Sequence, residues 1–307
     1  MSHAIETESL EYRAGKQFAL QRLNIHVPAG SIYGFLGPNG SGKTTTIRLL
    51  LALLRPQGGH IRVLDGEMPD DAPRLLARIG FVPEQPHLDV TFTVREMLQF
   101  QAAFYRTWDA RRAEDLLRQF QLDDHQLIGR LSKGQKAKVL ILLALAQRGD
   151  LLVLDEPTDG LDPVVRRDIL FALLEYVSQY KATILISSHL VHELERICDW
   201  VGVLDDGRLL TETPMATLKN GIKRLRVRDA PASIGTTPFV LLTRHAANGG
   251  GGAVATVGET WVVRDWAPEM ASYFDGIGAS LDDVIDLDLE DSFVELLRAS
   301  REPAGRS

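Results

Sequence analysis

Gly37-Pro-Asn-Gly-Ser-Gly-Lys-Thr44 fits the pattern G-x-x-x-x-G-K-[ST], and this octapeptide determines how the rest of the chain is interpreted. It lies between a predicted strand at residues 31–36 and a predicted helix at residues 44–54. Glycines allow consecutive backbone N–H groups to turn toward phosphate oxygens, and a helix N-terminus adds the positive end of its dipole. The octapeptide therefore predicts a phosphate-binding loop in an α/β protein. A dinucleotide-binding fingerprint is excluded, because Thr45 stands where its third glycine would be.

The side chains of this loop have separate predicted tasks. We expect the Lys43 ammonium to reach the outer phosphates of a nucleotide and the Thr44 hydroxyl to bind Mg²⁺. A glycine-rich turn without a ligand is the alternative, and the flanking strand and helix argue against it. The predicted ATP-binding residues of the loop are Asn39, Gly40, Ser41, Gly42, Lys43, Thr44 and Thr45.

A pair of carboxylates ends a second apolar segment, Leu151-Leu-Val-Leu-Asp-Glu-Pro157. Ligands of α/β sheets bind at the carboxyl ends of the strands, where Asp155 and Glu156 would lie. Asp155 suits Mg²⁺, and Glu156 suits a base that activates or orients the attacking water. An acidic pair in this position can also be structural. The phosphate loop upstream favours the catalytic interpretation.

Strand and helix patterns alternate between Ser31 and about Gly207, which is typical of a parallel α/β sheet. Further strands are predicted at residues 151–155, 183–187 and 201–204. Residues 86–149 interrupt this alternation with helical patterns, among them a capping box at Thr93-Val-Arg-Glu96. We predict that they form an inserted helical subdomain.

The pattern changes again after Pro214. Strands are predicted at residues 224–228 and 261–263, a glycine-rich loop at 248–252 and a closing helix at 289–299. The chain is therefore expected to form two domains, residues 1–219 and a small α+β domain of residues 220–307.

Composition excludes several classes of protein. Lys plus Arg number 34 and Asp plus Glu number 41, so the net charge of −7 argues against a protein that coats nucleic acid. The longest apolar run, Val139–Ala146, has 8 residues, well short of the roughly 20 that span a bilayer. The N-terminal residues lack the apolar stretch of a signal peptide, and Cys198 is the single cysteine. We expect a cytoplasmic protein.

Four more motifs follow in a characteristic order. Leu131-Ser-Lys-Gly-Gln135 is similar to the signature LSGGQ, with Lys133 in place of its first glycine. Gln85 lies in Val-Pro-Glu-Gln, Asp162 in Gly-Leu-Asp and His189 in Ser-Ser-His. With the phosphate loop and the acidic pair, these motifs resemble those of ATP-binding-cassette (ABC) transporter ATPase subunits, over residues 4 to about 216. The resemblance implies a P-loop NTPase cassette with a mostly parallel sheet and an inserted helical subdomain, followed by the small α+β domain.

The resemblance also implies roles for these residues. Gln85 would contact Mg²⁺, together with Thr44 and Asp155, and also the membrane partner. His189 would contact the γ-phosphate and, with Glu156, form the catalytic pair. The residues expected to bind the ATP of a second, head-to-tail chain are Ser132, Gly134, Gln135 and Asp162.

Adenine recognition departs from the family pattern. The aromatic residue on which the family stacks adenine aligns with Ala14. Tyr12 is the nearest substitute and Phe18 the alternative. We predict that Tyr12 stacks on the base.

The resemblance implies an ATPase subunit that uses Mg²⁺ with ATP and drives transport through a separate polytopic membrane subunit. A second copy of the chain is the expected ATPase partner, and no nucleic acid is expected. Residues 220–307 resemble the accessory domain of bacterial drug- and antibiotic-export ATPases, which indicates export and a peripheral location on the inner face of the cell membrane. One alternative is a soluble ABC-type ATPase that acts on ribosomes or DNA. Another is a P-loop GTPase or small-molecule kinase, which would leave Leu131–Gln135 unexplained.

Overall fold

The computed structural model describes residues 2–15, 18–85, 88–246 and 258–301. The chain divides into two compact units, Met1–Glu212 and Thr213–Ser307. The second unit thus begins before the predicted boundary at residue 220, because a helix at Met215–Gly221 packs against the C-terminal helix of that unit. The predicted glycine-rich loop at 248–252 and the first residue of the predicted helical subdomain, Pro86, lie outside the described residues.

The first unit contains two sheets with helices packed on them. Its strands are β1 (His3–Ala14), β2 (Phe18–Leu23), β3 (His26–Pro28), β4 (Ile32–Leu36), β5 (Gly58–Val63), β6 (Gly66–Met68), β7 (Ile79–Val82), β8 (Leu151–Asp155), β9 (Thr183–Ser188), β10 (Trp200–Asp205) and β11 (Arg208–Pro214). Its helices are α1 (Lys43–Leu50), α2 (Ala72–Leu76), α3 (Val94–Ala102), α4 (Ala110–Gln119), α5 (Lys133–Ala146), α6 (Pro163–Tyr180) and α7 (Val191–Leu194).

The larger sheet has the strand order β11-β10-β4-β9-β8-β7. The neighbours from β10 to β7 are parallel, which confirms the predicted parallel sheet. All residues of β4 and β8 are buried, as continuous apolar strands covered on both faces should be. The sequence did not indicate β7, because four residues that include a glycine give too short an apolar run.

A second, antiparallel sheet has the order β2-β1-β5-β6, with β3 also paired to β1. The sequence patterns did not indicate it. Ile5 and Ile61 of this sheet belong to the same buried cluster as Phe35 of β4 and Ile47 and Leu50 of α1. This shared core fixes α1, and the loop before it, between the two sheets.

The predicted helical subdomain is present as α3, α4 and α5 between β7 and β8. α3 begins with the expected capping box: Thr93 Oγ1 accepts from the Glu96 N–H at 3.2 Å, and Glu96 Oε2 accepts from the Thr93 N–H at 2.7 Å. α1 is shorter than predicted, since it ends at Leu50 instead of residue 54. The reason is local, because Ala52 adopts a left-handed conformation with φ 54°.

The second unit is a small α+β structure. Its elements are α8 (Met215–Gly221), β12 (Ile222–Arg228), β13 (Val240–Ala246), β14 (Gly258–Arg264), α9 (Ser272–Gly276), β15 (Ser280–Asp286) and α10 (Leu289–Arg301). The sheet is antiparallel, in the order β13-β14-β12-β15. Phe239, Trp261 and Phe274 form the centre of its core, with Leu225 and Val263 around them.

Within the described ranges, none of the helices of either unit has the length and apolar character to cross a membrane.

Candidate nucleotide-binding site

The phosphate loop joins β4 to α1, and its backbone requires glycine at several points. Gly40 and Gly42 have φ angles of 82° and 114°, a conformation that side chains disfavour. At Gly37 a Cβ atom would lie 2.4 Å from the Leu204 carbonyl oxygen. The helix α1 begins directly after the loop, at Lys43. Its free N–H groups therefore lie at the loop, as the sequence predicted.

A cavity of about 400 Å³ opens at this loop. Its lining includes most of the predicted ATP-binding residues. Among the predicted residues of the loop, Ser41 is absent from the described lining: its N–H donates to the Pro38 carbonyl at 3.1 Å and its side chain is buried. The lining residues are Ala14, Asn39, Gly40, Gly42, Lys43, Thr44, Thr45, Glu84 and Glu156.

Lys43 and Glu156 face each other in this cavity. The Lys43 Nζ atom lies 3.1 Å from Glu156 Oε1 and donates to the Gly37 carbonyl at 2.7 Å. Only 5% of the Lys43 side chain and 9% of the Glu156 side chain are exposed, so solvent screens this ion pair weakly. The ammonium is thus held beside the loop N–H groups, where a nucleotide phosphate would compete with Glu156 for it.

Strands β8 and β9 place the predicted catalytic pair side by side. His189 follows β9 directly, and its Nδ1 lies 2.9 Å from Glu156 Oε2. Ser187 Oγ donates to Asp155 Oδ1 at 2.7 Å and accepts from the Glu156 N–H at 2.9 Å. Glu156 itself has a left-handed backbone, with φ 49°. Ser187 of β9 thus holds the Asp155 carboxylate and the Glu156 N–H, and His189, directly after β9, contacts the Glu156 carboxylate.

The three predicted metal-binding residues line one further cavity, of about 410 Å³. Thr44, Gln85 and Asp155 each carry a side-chain oxygen, and oxygen is the ligand that Mg²⁺ prefers. Elsewhere in the described ranges, as here, no group of three or more His, Cys, Asp or Glu side chains is arranged to hold a metal. Three residues with side-chain oxygens fit Mg²⁺, which is usually bound by one or two carboxylates together with substrate phosphates and water.

The residues predicted to act on a second chain's nucleotide lie at two helix starts. Ser132 caps α5, accepting from the Gln135 N–H at 3.2 Å, and Asp162 caps α6, accepting from two N–H groups at 3.0 Å. At Gly134 a Cβ atom would lie 3.0 Å from a Val165 methyl group. Ser132, Gly134, Gln135 and Asp162 are all absent from the described lining of the phosphate-loop cavity. Within one chain, none of the four is thus among the described residues that share this cavity with Lys43.

That Tyr12 stacks on the adenine base stays a prediction. Tyr12 lies on β1 opposite Leu20 and packs partly against the core. It is not among the described residues that line the phosphate-loop cavity, whereas Ala14, two residues further along the strand, is.

One residue of the cavity, Glu84, was not predicted from the sequence. It lines the phosphate-loop cavity and also the cavity of Thr44, Gln85 and Asp155. The register of β7 against β8 ends with the pair Val82 and Leu154, and Glu84 and Glu156 each follow two residues later in their chain segments. The location of Glu84 at the two cavities follows from the position of β7 beside β8. The sequence does not show it, because β7 is too short to give a strand signal.

Comparison with known proteins agrees with this geometry. The sequence model of the ABC transporter family matches residues 20–159. The bacitracin transport ATP-binding protein of Bacillus licheniformis is 38% identical over 71% of this chain and 72% of that protein. A Nod factor export ATP-binding protein of Burkholderia orbicola is 38% identical over 71% of this chain and 73% of its own length.

Solved structures give the same result. A chain described as the ATP-binding subunit of an ABC transporter has a TM-score of 0.65 and 29% identity, covering 70% of this chain and 91% of that chain. The cbiO1 protein of Clostridium perfringens, part of an ABC transporter complex, has a TM-score of 0.62 and 26% identity over 70% of this chain and 90% of its own.

The fold and the site define a P-loop NTPase of the cassette type. This chain belongs to the ABC transporter family, in which it is an ATP-binding subunit and an ATPase. The bacterial relatives from B. licheniformis and B. orbicola are transport and export proteins by name, so the alternatives that act on ribosomes or DNA find no support.

Proposed function

We propose that this chain hydrolyses ATP through Lys43, Glu156 and His189, and that hydrolysis drives export through a separate membrane subunit. The observation that carries the proposal is the continuous contact from Lys43 Nζ through the Glu156 carboxylate to His189 Nδ1, at 3.1 and 2.9 Å. Phosphoryl transfer depends on positioned charge more than on covalent chemistry, and this row of groups supplies it beside the phosphate loop.

The groups act in sequence. When ATP enters, its outer phosphates replace Glu156 as the partner of the Lys43 ammonium. The released Glu156 carboxylate, oriented by His189, accepts a proton from the attacking water. The water oxygen bonds to the γ-phosphorus as the bond to the β,γ-bridging oxygen breaks, and ADP leaves with that oxygen. Lys43 and the loop N–H groups stabilise the charge that remains on the phosphates.

Thr44 and Asp155 would hold Mg²⁺ with the nucleotide, since both line the second cavity. The metal would neutralise charge on the β- and γ-phosphate oxygens. Ser187 keeps the Asp155 carboxylate in place through its 2.7 Å hydrogen bond.

A second copy of the chain would complete the site. Ser132 and Gly134 lie at the N-terminus of α5, whose dipole favours an anion. In a head-to-tail pair, these residues, with Gln135 and Asp162, would contact the ATP bound to Lys43 of the other chain. That none of the four is among the described residues around Lys43 in one chain supports this arrangement.

The membrane subunit would dock on the helical subdomain. A cavity of about 640 Å³ lies among β7, α3 and α5, with apolar residues such as Met97, Phe100, Tyr105 and Leu140 in its lining. Phe100 is 50% exposed, so this groove offers an aromatic anchor to a partner helix. Export as the direction is supported by the relatives whose names mention bacitracin transport and Nod factor export. With the membrane subunit docked on this groove, the chain would lie on the inner face of the membrane.

Two variants separate binding from catalysis. Lys43→Ala should strongly weaken ATP binding in equilibrium dialysis, because the ammonium that faces the phosphates is lost. Glu156→Gln should retain ATP and lower the hydrolysis rate by about 10²- to 10⁴-fold, because the base is lost while the shape is kept. Asp70→Asn, an exposed carboxylate outside the described cavities, is the control and should match the wild type. Undiminished hydrolysis by Glu156→Gln would contradict the proposal.

A further inference from the structure

The segment that follows β8 contacts the segment that follows β9 at three points. Glu156 Oε2 lies 2.9 Å from His189 Nδ1, which is the contact of the proposed catalytic pair. Asp159 Oδ1 lies 3.9 Å from His189 Nε2, and Thr158 Oγ1 donates to Glu193 Oε2 at 2.5 Å. His189 and Glu193 are four residues apart, so the first segment holds the second at both of its ends.

Glu193 is the most deeply buried charge in these contacts. Only 1% of its side chain is exposed, and Arg166 Nη1 of α6 lies 2.7 Å from its Oε1 atom. Arg166 Nη2 donates in turn to the Leu161 carbonyl at 3.3 Å, so the same guanidinium also holds the segment after β8. Two charges lose their hydration when they are buried, and an apolar pair of the same size is often at least as stable. Packing alone therefore gives no reason for a charged pair at this place.

The chain around His189 depends on tertiary contacts for its position. His189 lies between the end of β9 and the start of α7, which has four residues, Val191–Leu194. A helix this short is not stable by itself. Both of its end residues are buried apolar side chains, and hydrophobic contact has no preferred direction. The hydrogen bond to Glu193 is directional, so it can fix how α7 and the preceding residues are oriented.

We propose that Glu193, with its donor Thr158, is a positioning residue for ATP hydrolysis: it fixes α7 against the segment after β8 and so keeps His189 at the Glu156 carboxylate. The inference rests on the proposed roles of Glu156 and His189. Neither Thr158 nor Glu193 is among the described residues that line the phosphate-loop cavity or the metal-donor cavity. They should therefore affect the rate of hydrolysis and leave nucleotide binding unchanged.

The test compares kcat and KM for ATP of Thr158→Val with those of the wild type. Valine keeps a shape close to that of threonine and lacks the hydroxyl that donates to Glu193. The kcat should fall by about tenfold or more, since a displacement of about 1 Å can cost roughly 10²-fold in rate. KM should stay within about twofold, because the contacts to the nucleotide are kept. Thr158→Ser retains the hydroxyl and should keep kcat within about twofold of the wild type.

Thr183→Val is the matched control, because it also removes a buried hydroxyl that takes part in a hydrogen bond. Thr183 Oγ1 accepts from the Gly30 N–H at 2.9 Å, at the end of β9 that is far from His189. This variant should lower the urea midpoint of unfolding, as Thr158→Val should, and leave kcat unchanged. An equal fall of kcat in the two variants would show that lost stability is the cause and would overturn the proposal. An unchanged kcat in Thr158→Val would overturn it as well.

A double variant shows whether the hydrogen bond acts through His189. In a His189→Ala chain, the added Thr158→Val substitution should change kcat by about twofold or less, because the group to be positioned is already absent. Losses that multiply in the double variant would show that Thr158 acts by another route, which contradicts the proposal. Glu156→Gln distinguishes this inference from the proposed function: if that variant hydrolyses ATP at the wild-type rate, the catalytic pair itself is wrong, whatever Thr158→Val does.

Discussion

Glu156 is fixed by its neighbours and by its own backbone. Its N–H donates to Ser187 Oγ, its φ is 49°, and its carboxylate contacts Lys43 and His189. A base held in this way needs little reorganisation when a water molecule arrives, which is the condition for efficient proton transfer. The carboxylate faces the phosphate loop, where the proposed reaction needs it.

Arg166 and Glu193 form a second buried ion pair in the first unit. Arg166 Nη1 lies 2.7 Å from Glu193 Oε1, and only 1% of the Glu193 side chain is exposed. Thr158 Oγ1 donates to the other Glu193 oxygen at 2.5 Å. The pair links α6 to α7 and to the segment that follows Glu156.

Arg166→Met should therefore destabilise the first unit strongly. It leaves the Glu193 charge buried without its cation, which typically costs about 3 kcal/mol or more of unfolding free energy. The urea midpoint of unfolding, followed by one probe for all variants, checks this. Arg167→Met, an exposed neighbour on the same helix, should change the unfolding free energy by about 0.5 kcal/mol or less. Equal decreases of the unfolding free energy in the two variants would show that the ion pair does not stabilise the first unit.

The site residues that could be predicted from the sequence are those that belong to a short, recognisable motif. Lys43, Asp155 and Glu156 follow from spacing within a motif, and the structure places all three at one edge of the sheet. Glu84 could not be predicted in this way, because its position depends on which strand pairs with β8. The stacking of adenine on Tyr12 stays a prediction, since Tyr12 lies on β1 and is absent from the described lining of the phosphate-loop cavity.

Among the secondary-structure elements, those of the helical subdomain form the groove that is proposed to bind the membrane subunit. Phe100 of α3 lines the apolar groove, and its ring contacts Phe92 and Phe104. Burial of one large side chain in an interface contributes on the order of 2 kcal/mol. The groove is thus expected to be essential for holding the membrane subunit.

Phe100→Glu should lower the amount of membrane subunit that copurifies from gently solubilised membranes, because it introduces a charge into the apolar groove. Phe171→Glu is the matched control: Phe171 is 55% exposed on α6 and does not line the groove. Both variants should still bind ATP. Full recovery of the partner with Phe100→Glu, or an equal loss with Phe171→Glu, would place the docking surface elsewhere.

The elements that the sequence predicted are those with local signals. α3 begins at a capping box, and β8 is a run of apolar residues before two acids. The antiparallel sheet was missed because β1 is long and irregular, with register shifts against each of its partners, which obscures a strict alternation. Tertiary pairing, and not local pattern, defines that sheet.

For the chain in full, the two-unit organisation was predicted from the change of pattern after Pro214. The observed division after Glu212 differs in the placement of α8. A seven-residue helix contributes little local signal, so only its packing against α10 shows where it belongs. The α+β character of the second unit was predictable, because β12 and α10 have clear strand and helix patterns.

The proposed mechanism requires that ATP join two chains, with Lys43 and Glu156 of one chain and Ser132 of the other contacting the same nucleotide. Glu156→Gln is the decisive variant, because it should bind ATP without consuming it. Light scattering should show the 34.0 kDa chain with ADP and twice that mass with ATP. Lys43→Ala should prevent the increase by weakening phosphate binding, and Ser132→Arg should prevent it by filling the contact at the start of α5. A mass of Glu156→Gln that is the same with and without ATP, together with wild-type hydrolysis that rises linearly with protein concentration, would contradict the two-chain site.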